Sequence, residues 1–191
     1  MASLTKHGVS HHESSLHRVS NRKTSDVPLV QHLPRKTPEV PLVQHLQRQL
    51  ANAFVLFGNY KHYHWQTYPP LFRDLHVLFD EFAKEALLSI DHLAERIHLL
   101  SDDVVPGHLI KAADLASVPV APPHATMRDM VEEADRNVLV VVKGLRDAAR
   151  IAGEHDDQAT AALVSHVVQV YEQHQWWLRD ILNKRQGPCL V

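Results

Sequence analysis

Apolar residues recur every three or four positions along four long segments of this chain, and that pattern constrains the fold more than any other feature. The segments run from about 41 to 66, 71 to 100, 126 to 152 and 157 to 184. A period of three to four residues is typical of an amphipathic helix, whereas a half-buried strand alternates at every second residue. Because no convincing alternating segment occurs, the sequence predicts an all-α bundle of four long helices.

Short motifs mark where these helices begin and end. Two adjacent prolines follow the first helix, and four prolines and one glycine between the second and third leave room for only one short helix, near 108–116. Thr126 with Asp129 predicts a capping box at the start of the third long helix. Gly153 is placed to end that helix.

The segments outside the bundle have a different composition. Residues 1–26 are rich in Ser, His, Lys, Arg and Asn, and so few apolar side chains cannot offset the entropy of ordering the segment. The repeat Val-Pro-Leu-Val-Gln-His-Leu then occurs at 27–33 and at 40–46, which is too few copies for a repeat fold. We therefore divide the chain into three parts: a flexible N-terminal tail with the short repeat at 1–40, the helical bundle at 41–184 and a C-terminal tail at 185–191.

Charge and cysteine content limit the class of protein. The chain has 20 Lys and Arg against 22 Asp and Glu, and this net charge of −2 excludes nucleic-acid binding by bulk positive charge. The single cysteine, Cys189, excludes a disulfide framework and favours a reducing compartment. Neither a signal-peptide pattern nor a membrane-length apolar run is present, so we expect a cytoplasmic protein with no membrane association.

Histidine is unusually frequent, at 16 of 191 residues, which suggests metal binding. On the first helix His64 continues the apolar stripe and is expected to face inward. His62, two positions earlier, is rotated by roughly 200° and is expected to point away. By itself an inward histidine is more often a hydrogen-bonded core residue than a metal ligand.

Four ionisable residues on the second helix, His76, Asp80, Asp91 and Glu95, fall within an arc of roughly 100°. The arc borders the apolar face of the helix, where unpaired carboxylates are costly and usually have cations. One interpretation is a solvated helix edge with salt bridges. The other is a metal site.

The length of the helix decides what kind of metal site this arc of ionisable residues permits. His76 and Asp91 lie fifteen residues apart, about 22 Å along a helix, so one ion cannot bind both within a chain. If two chains pair antiparallel about a two-fold axis, two identical sites form between the subunits. Two imidazoles with three carboxylates suit Fe(II) or Zn(II). An intrachain di-iron site is disfavoured, because it needs two Glu-x-x-His motifs and only Glu95-Arg-Ile-His98 is present.

The motifs in these helices resemble those of a known family. His64-Trp65 is followed by a histidine twelve residues after His64, by an aspartate four residues later, and then by Asp91-x-x-Ala-Glu95-Arg. The last helix contains Glu-Gln-His-Gln-Trp-Trp-Leu-Arg at 172–179. Together these motifs are similar to those of the Dps family, mini-ferritins named as DNA-binding proteins from starved cells. The resemblance extends over 41–184 and implies a ferritin-like four-helix bundle with a short helix between the second and third long helices.

The resemblance also implies a function. Members of the family are ferroxidases that assemble from two-fold dimers into a hollow homo-dodecamer, oxidise Fe(II) with hydrogen peroxide or oxygen, and store the ferric mineral. Trp65 resembles the tryptophan that intercepts oxidising equivalents beside the iron centre; its alternative role is packing in the interface. The implied ligands of two irons, for which zinc is a substitute, are His64, His76 and Asp80 from one subunit and Asp91 and Glu95 from its two-fold mate.

The last helix departs from the family pattern at Ala162 and has an additional histidine, His166. Ala162 stands where an aspartate is expected to line the three-fold pore, and Glu154, Asp156 and Asp157 are candidates to supply the negative field instead. His166 shares a face with Val170 and Trp177, which we interpret as the inward face. We consider His166 either an additional metal ligand that selects zinc over iron or a hydrogen-bonded core histidine.

The N-terminal tail raises a second hypothesis, a DNA-binding and DNA-compacting shell associated with the nucleoid in which metal oxidation is secondary. Through residue 47 the tail has six basic and three acidic residues, a net charge of +3 per chain that twelve subunits would multiply. Six tail histidines would add charge below about pH 6.5. Alternatively, the tail binds metal or keeps the shell soluble. The six are His7, His11, His12, His17, His32 and His45.

Overall fold

A computed structural model describes residues 40–101, 109–123 and 126–183 of the chain. These residues form five helices and no strand: α1 (Val40–Gln66), α2 (Phe72–Leu100), α3 (Leu109–Leu115), α4 (Met127–Glu154) and α5 (Gln158–Leu182). The predicted four long helices and the short one between the second and third are confirmed. The tail predictions for 1–40 and 185–191 fall almost entirely outside the described residues and stay predictions.

The helices form two hairpins, α1 with α2 and α4 with α5. The connection from α2 to α4 is long and carries α3, which packs on α1. Further contacts join α1 to α4 and α2 to α5, a four-helix arrangement with one long crossover. No helix among the described residues is long and apolar enough to span a membrane. The largest fully buried side chains at the centre are Tyr60, Tyr63, Tyr171, Phe79 and Phe82.

The predicted capping box of α4 is confirmed, but the predicted end of that helix is wrong. The Thr126 side chain accepts the N–H of Asp129, and the Asp129 carboxylate accepts the N–H of Thr126, both at 3.1 Å. At the other end α4 continues through Gly153. The left-handed residue is Asp156, with φ of 56°, and the next N–H donates to the carbonyl of Ala152 at 2.8 Å. This is a Schellman ending with aspartate, which tolerates the left-handed region, in the usual glycine position.

Polar residues on α1 hold the segment 117–122, which leads from α3 towards α4. Asn52 accepts two of its backbone N–H groups at 2.7 and 3.2 Å. Asn59 accepts a third N–H at 2.9 Å and donates to a carbonyl at 2.8 Å. His62 Nε2 donates to the carbonyl of Pro122 at 3.1 Å, so His62 does point away from His64 as expected.

The close approach of α1 and α4 depends on Gly144. A Cβ at this position would lie 2.2 Å from the Nε2 atom of Gln49. The Gln49 side chain is buried and accepts a hydrogen bond from Asn52 at 3.0 Å, so it is not free to move aside. A side chain at 144 would therefore separate the two helices.

An ion pair and an N-cap hydrogen bond join the end of α2 to the start of α5. Asp157 is the N-cap residue of α5 and accepts the N–H of Thr160 at 3.0 Å. Its carboxylate oxygens also accept hydrogen bonds from Arg96 Nη2 of α2 at 2.7 and 3.0 Å. The Nε atom of the same arginine donates to the Thr160 hydroxyl at 2.7 Å. Burial alone would raise the pKa of Asp157, but the hydrogen bonds from Thr160 and Arg96 lower it below its ordinary value.

Candidate metal centre

Two of the predicted ligands, His64 and His76, meet at the turn between α1 and α2. His64 Nδ1 donates to the backbone carbonyl of His76 at 2.7 Å, and His76 Nδ1 donates to the carbonyl of His64 at 2.9 Å. Their rings are stacked, with centroids 3.6 Å apart. A carbonyl oxygen only accepts, so each Nδ1 carries a proton and the lone pair of each neutral ring is on Nε2. Such a fixed tautomer is what metal-ligating histidines require.

Thr67 supports this pair, and sequence reasoning missed it. Its side chain is buried, and its hydroxyl donates to the carbonyl of His64 at 3.0 Å and lies 3.3 Å from His76 Nδ1. On the other side the Phe72 ring lies 4.9 Å from the His76 ring. The turn from α1 to α2 therefore holds both imidazoles in place.

Asp80 follows His76 by one helical turn and is already paired with two cations. Lys61 Nζ lies 2.7 Å from one carboxylate oxygen, and Lys84 Nζ lies 2.7 Å from the other. Hydrogen bonds from Lys61 and Lys84 hold the pKa of Asp80 well below its usual range. Asp80 is thus an ionised carboxylate whose present counter-ions are lysines, and a metal ion would compete with them.

Asp91 and Glu95 lie further along α2 and are exposed in the single subunit. Neither forms an ion pair with another residue of the described part of the chain. Over the same residues, no three His, Cys, Asp or Glu side chains lie close enough to bind one metal ion. A single chain therefore has a histidine pair with Asp80 near the start of α2 and two carboxylates near the end of that helix.

Trp65 is 67% exposed, and its ring centroid lies 5.7 Å from Lys61 Nζ. The ring is thus next to the cation that holds Asp80 and one residue from His64. The roles that the sequence predicts for Trp65, interception of oxidising equivalents or packing in an interface, both need groups that a single chain does not supply.

The interpretation of His166 as an inward residue is wrong. His166 is exposed, and its ring lies 6.5 Å from that of His92 on α2, away from the pair at the α1–α2 turn. The error arose because Val170 and Trp177 are only half-buried and mark an edge of α5. The fully buried face of α5, on the other side of the helix, is formed by Val164, Val167, Val168, Tyr171 and Leu178.

The carboxylates considered for iron access near Ala162 have other partners. Ala162 itself is exposed. Glu154 pairs with Arg150 at 2.7 Å, and Asp157 pairs with Arg96. Glu154 and Asp157 are therefore already paired with arginines within the subunit, and the access route stays a prediction about the assembled shell.

Comparisons with known proteins agree with the fold. A family model described as a ferritin-like domain matches residues 43–187. DNA protection during starvation protein 1 of Deinococcus radiodurans is 34% identical over 138 residues, covering 70% of this chain and 65% of that protein. The X-ray structure of Dps from Thermosynechococcus elongatus matches with a TM-score of 0.74 and 39% identity, over 77% of this chain and 93% of that one.

A third match adds a description of the chemistry of a relative. The Dps protein of Vibrio cholerae O1 is 28% identical with a TM-score of 0.71, over 75% of this chain and 89% of that one. It is described as a member of a broad superfamily of ferritin-like diiron-carboxylate proteins.

The two hairpins, the long crossover and the matched family model define a ferritin-like protein. Within that class, identity of 30% or more to Dps proteins, over about 90% of the length of two of them, shows that this chain belongs to the Dps family of mini-ferritins. The family resemblance read from the sequence is confirmed.

Proposed function

We propose that this chain is an iron-oxidising and iron-storing mini-ferritin that oxidises Fe(II), with hydrogen peroxide or oxygen, at di-iron sites between subunits. The observation that carries the proposal is the reciprocal hydrogen bonding of His64 and His76. Two stacked imidazoles with both Nδ1 atoms bonded to backbone carbonyls leave both Nε2 lone pairs for a metal ion. Metal-ligating histidines almost always donate the other ring N–H to a carbonyl, a carboxylate or water, as both of these histidines do.

The second half of each site comes from another subunit in this proposal. Asp91 and Glu95 are exposed and without an ion pair in the described residues, although they border an apolar face. Large apolar side chains on α1 and α2 are exposed in the single subunit, which favours a surface that another subunit covers. They include Trp65, Phe72, Val77, Leu87 and Leu88. Family membership supports two-fold dimers within a hollow dodecamer.

The residues of this chain have separate roles in the proposed reaction. The imidazoles of His64 and His76 bind Fe(II) through Nε2. The Asp80 carboxylate binds iron in place of its two lysine partners. Asp91 and Glu95 add anionic oxygens, which stabilise Fe(III) more than Fe(II) and so favour loss of an electron. Two Fe(II) ions and one hydrogen peroxide, with two protons, give two Fe(III) ions and two waters. Ferric iron then hydrolyses and is stored in the shell.

The test is anaerobic addition of Fe(II) followed by peroxide, with oxidation recorded by absorbance. We expect fast oxidation by the wild-type protein and a rate close to that of free Fe(II) for Asp91→Ala/Glu95→Ala. Asp114→Ala/Asp180→Ala removes two other exposed carboxylates and is expected to behave as wild type. Equal oxidation by the wild type and the Asp91/Glu95 variant would refute the proposal.

A second candidate function, DNA binding, is favoured by the name of the D. radiodurans relative, a DNA protection protein. Here the net charge of +3 in the tail through residue 47, multiplied over twelve subunits, supplies the attraction. A gel shift with plasmid DNA should weaken steeply as salt is raised, strengthen below about pH 6.5 as the tail histidines gain charge, and disappear when 1–39 is deleted. Binding unaffected by salt, pH and the deletion would refute this role.

A further inference from the structure

A hydrogen-bonded relay in the bundle core links Tyr60 of α1, His174 of α5 and Glu85 of α2. The Tyr60 hydroxyl lies 3.1 Å from His174 Nδ1, and His174 Nε2 lies 2.5 Å from a carboxylate oxygen of Glu85. Because Glu85 only accepts when ionised, Nε2 carries the proton and Nδ1 accepts from the phenol. Glu85 is 41% exposed, so the relay runs from a fully buried phenol to the protein surface.

The surroundings keep both buried members neutral. The side chain of His174 has no exposed surface, and its ring is stacked on Phe82 at 3.9 Å. Burial lowers the pKa of His174, against the opposing effect of Glu85. Burial also raises the pKa of Tyr60 well above its ordinary value. At neutral pH the phenol therefore keeps its proton, and the imidazole beside it is an unprotonated base.

The position of Tyr60 connects this relay to the proposed iron site. Tyr60 precedes His64 by one helical turn, about 6 Å along the axis of α1. Its ring also contacts that of Phe79, the neighbour of Asp80, at a centroid distance of 6.2 Å. Tyr60 is thus one helical turn from one proposed iron ligand, and its ring lies against the sequence neighbour of another.

A comparison with Tyr171 shows which phenol can pass a proton to His174. Tyr171 is equally buried and meets the His174 ring edge-on at 5.4 Å. Of these two phenols, the Tyr60 hydroxyl is the one that forms a hydrogen bond with the imidazole. Tyr60 is therefore the phenol with a direct path for its proton to His174.

We propose that Tyr60 is a redox-active side chain that supplies one electron to the iron site while its proton moves to His174 Nδ1. The inference rests on the proposed function, because peroxide reduced at that site is the oxidant. It applies when a site holds a single Fe(II), since peroxide needs two electrons. Fe(II), the Tyr60 phenol, hydrogen peroxide and two solvent protons then give Fe(III), a tyrosyl radical, protonated His174 and two waters. Glu85 stabilises the imidazolium, and no hydroxyl radical is released.

The experiment uses the full-length protein loaded anaerobically with one Fe(II) per two-iron site, mixed with peroxide, frozen and measured by electron paramagnetic resonance. Protein grown on ring-deuterated tyrosine identifies a tyrosyl signal by its narrowed splitting. We expect the signal in the wild type and in Tyr171→Phe, and its loss in Tyr60→Phe. In Glu85→Gln the amide still accepts from Nε2 but carries no charge, so we expect a weaker signal that decays faster.

Iron oxidation is measured on the same samples at two Fe(II) per site, where Tyr60 is not needed. Unchanged oxidation together with the expected signals supports the relay. If iron is oxidised but the tyrosyl signal is absent from the wild type, or persists in Tyr60→Phe, the relay is refuted and the proposed function stands. If no variant and no wild-type sample oxidises iron faster than free solution, the proposed function fails and the relay fails with it. Equal melting temperatures of the variants exclude a general loss of folding.

Discussion

Two inactive variants should restore activity when they are combined, because each half of the proposed site comes from a different subunit. One variant is His64→Gln/His76→Gln, in which the amides still donate hydrogen bonds but no longer offer imidazoles. The other is Asp91→Ala/Glu95→Ala. Alone, each assembles with every site incomplete. In a mixed dimer, one site combines intact histidines with intact carboxylates, and the other lacks both.

The expected magnitude follows from the two-fold symmetry. With equal co-expression and random pairing, about half of the dimers are mixed and one of the two sites in each is complete, so about a quarter of the wild-type rate returns. The assay is peroxide-driven Fe(II) oxidation on the purified co-assembled shell. Wild type co-expressed with the histidine variant should show about half the wild-type rate, which tests the mixing. No recovery in the first mixture with half in the second would refute the inter-subunit site.

Three further predictions concern single positions. Lys61→Met removes a cation that competes for Asp80, so the dissociation constant for Zn(II), measured by calorimetry on the assembled protein, should fall several-fold. Gly144→Ala places a methyl group against Gln49 and should lower the free energy of unfolding in urea by about 1–3 kcal/mol. Asp157→Ala removes an N-cap and a carboxylate paired with arginine, and should cost about 2–3 kcal/mol in the same assay. Folding lowers the pKa of Asp157, so the stability that this carboxylate contributes is fully present above about pH 4. That stability is lost as the pH falls through the pKa of the folded state. At such low pH the stability of Asp157→Ala should therefore approach that of the wild type.

Each of these predictions has a matched control. Lys143→Met also removes a lysine, but from an exposed position on α4, and should leave zinc affinity unchanged. Gly153→Ala meets nothing within 4 Å and should be neutral or stabilise α4 by up to about 1 kcal/mol. Glu154→Ala removes an exposed ion pair and should change stability by no more than about 1 kcal/mol. If a variant and its control show the same change in zinc affinity or in free energy of unfolding, the contact assigned to that position does not cause the change.

Most of the features predicted correctly from the sequence depend on neighbours along one helix. The four long helices follow from apolar spacing, and the capping box of Thr126 and Asp129 needs only three residues. The pairing of His64 with His76 was anticipated by their motif, but the hydrogen bonds that fix their tautomer were not. Those bonds depend on how the α1–α2 turn closes, and neither the apolar spacing nor the family motif specifies that geometry.

The contacts that were missed on α1 join distant segments of the chain. Asn52 and Asn59, spaced seven residues apart on a buried face, bind the backbone of 117–122. A buried amide at heptad spacing was a signal for such a contact, although it does not identify the partner. The prediction that His166 faces inward is wrong because Val170 and Trp177, which share its face, lie at the edge of the buried surface. The end of α4 was misplaced because Asp156 rather than a glycine adopts the left-handed conformation.

In the proposed function, iron binds between subunits at one defined set of ligands. Anomalous diffraction at the iron edge, from crystals soaked anaerobically with Fe(II), locates the bound iron. The predicted result is iron bonded to the Nε2 atoms of His64 and His76 and to Asp80 of one subunit, and to Asp91 and Glu95 of its two-fold mate. An iron peak bound only by side chains of a single subunit, or no peak beside His64 and His76, would refute the inter-subunit iron site.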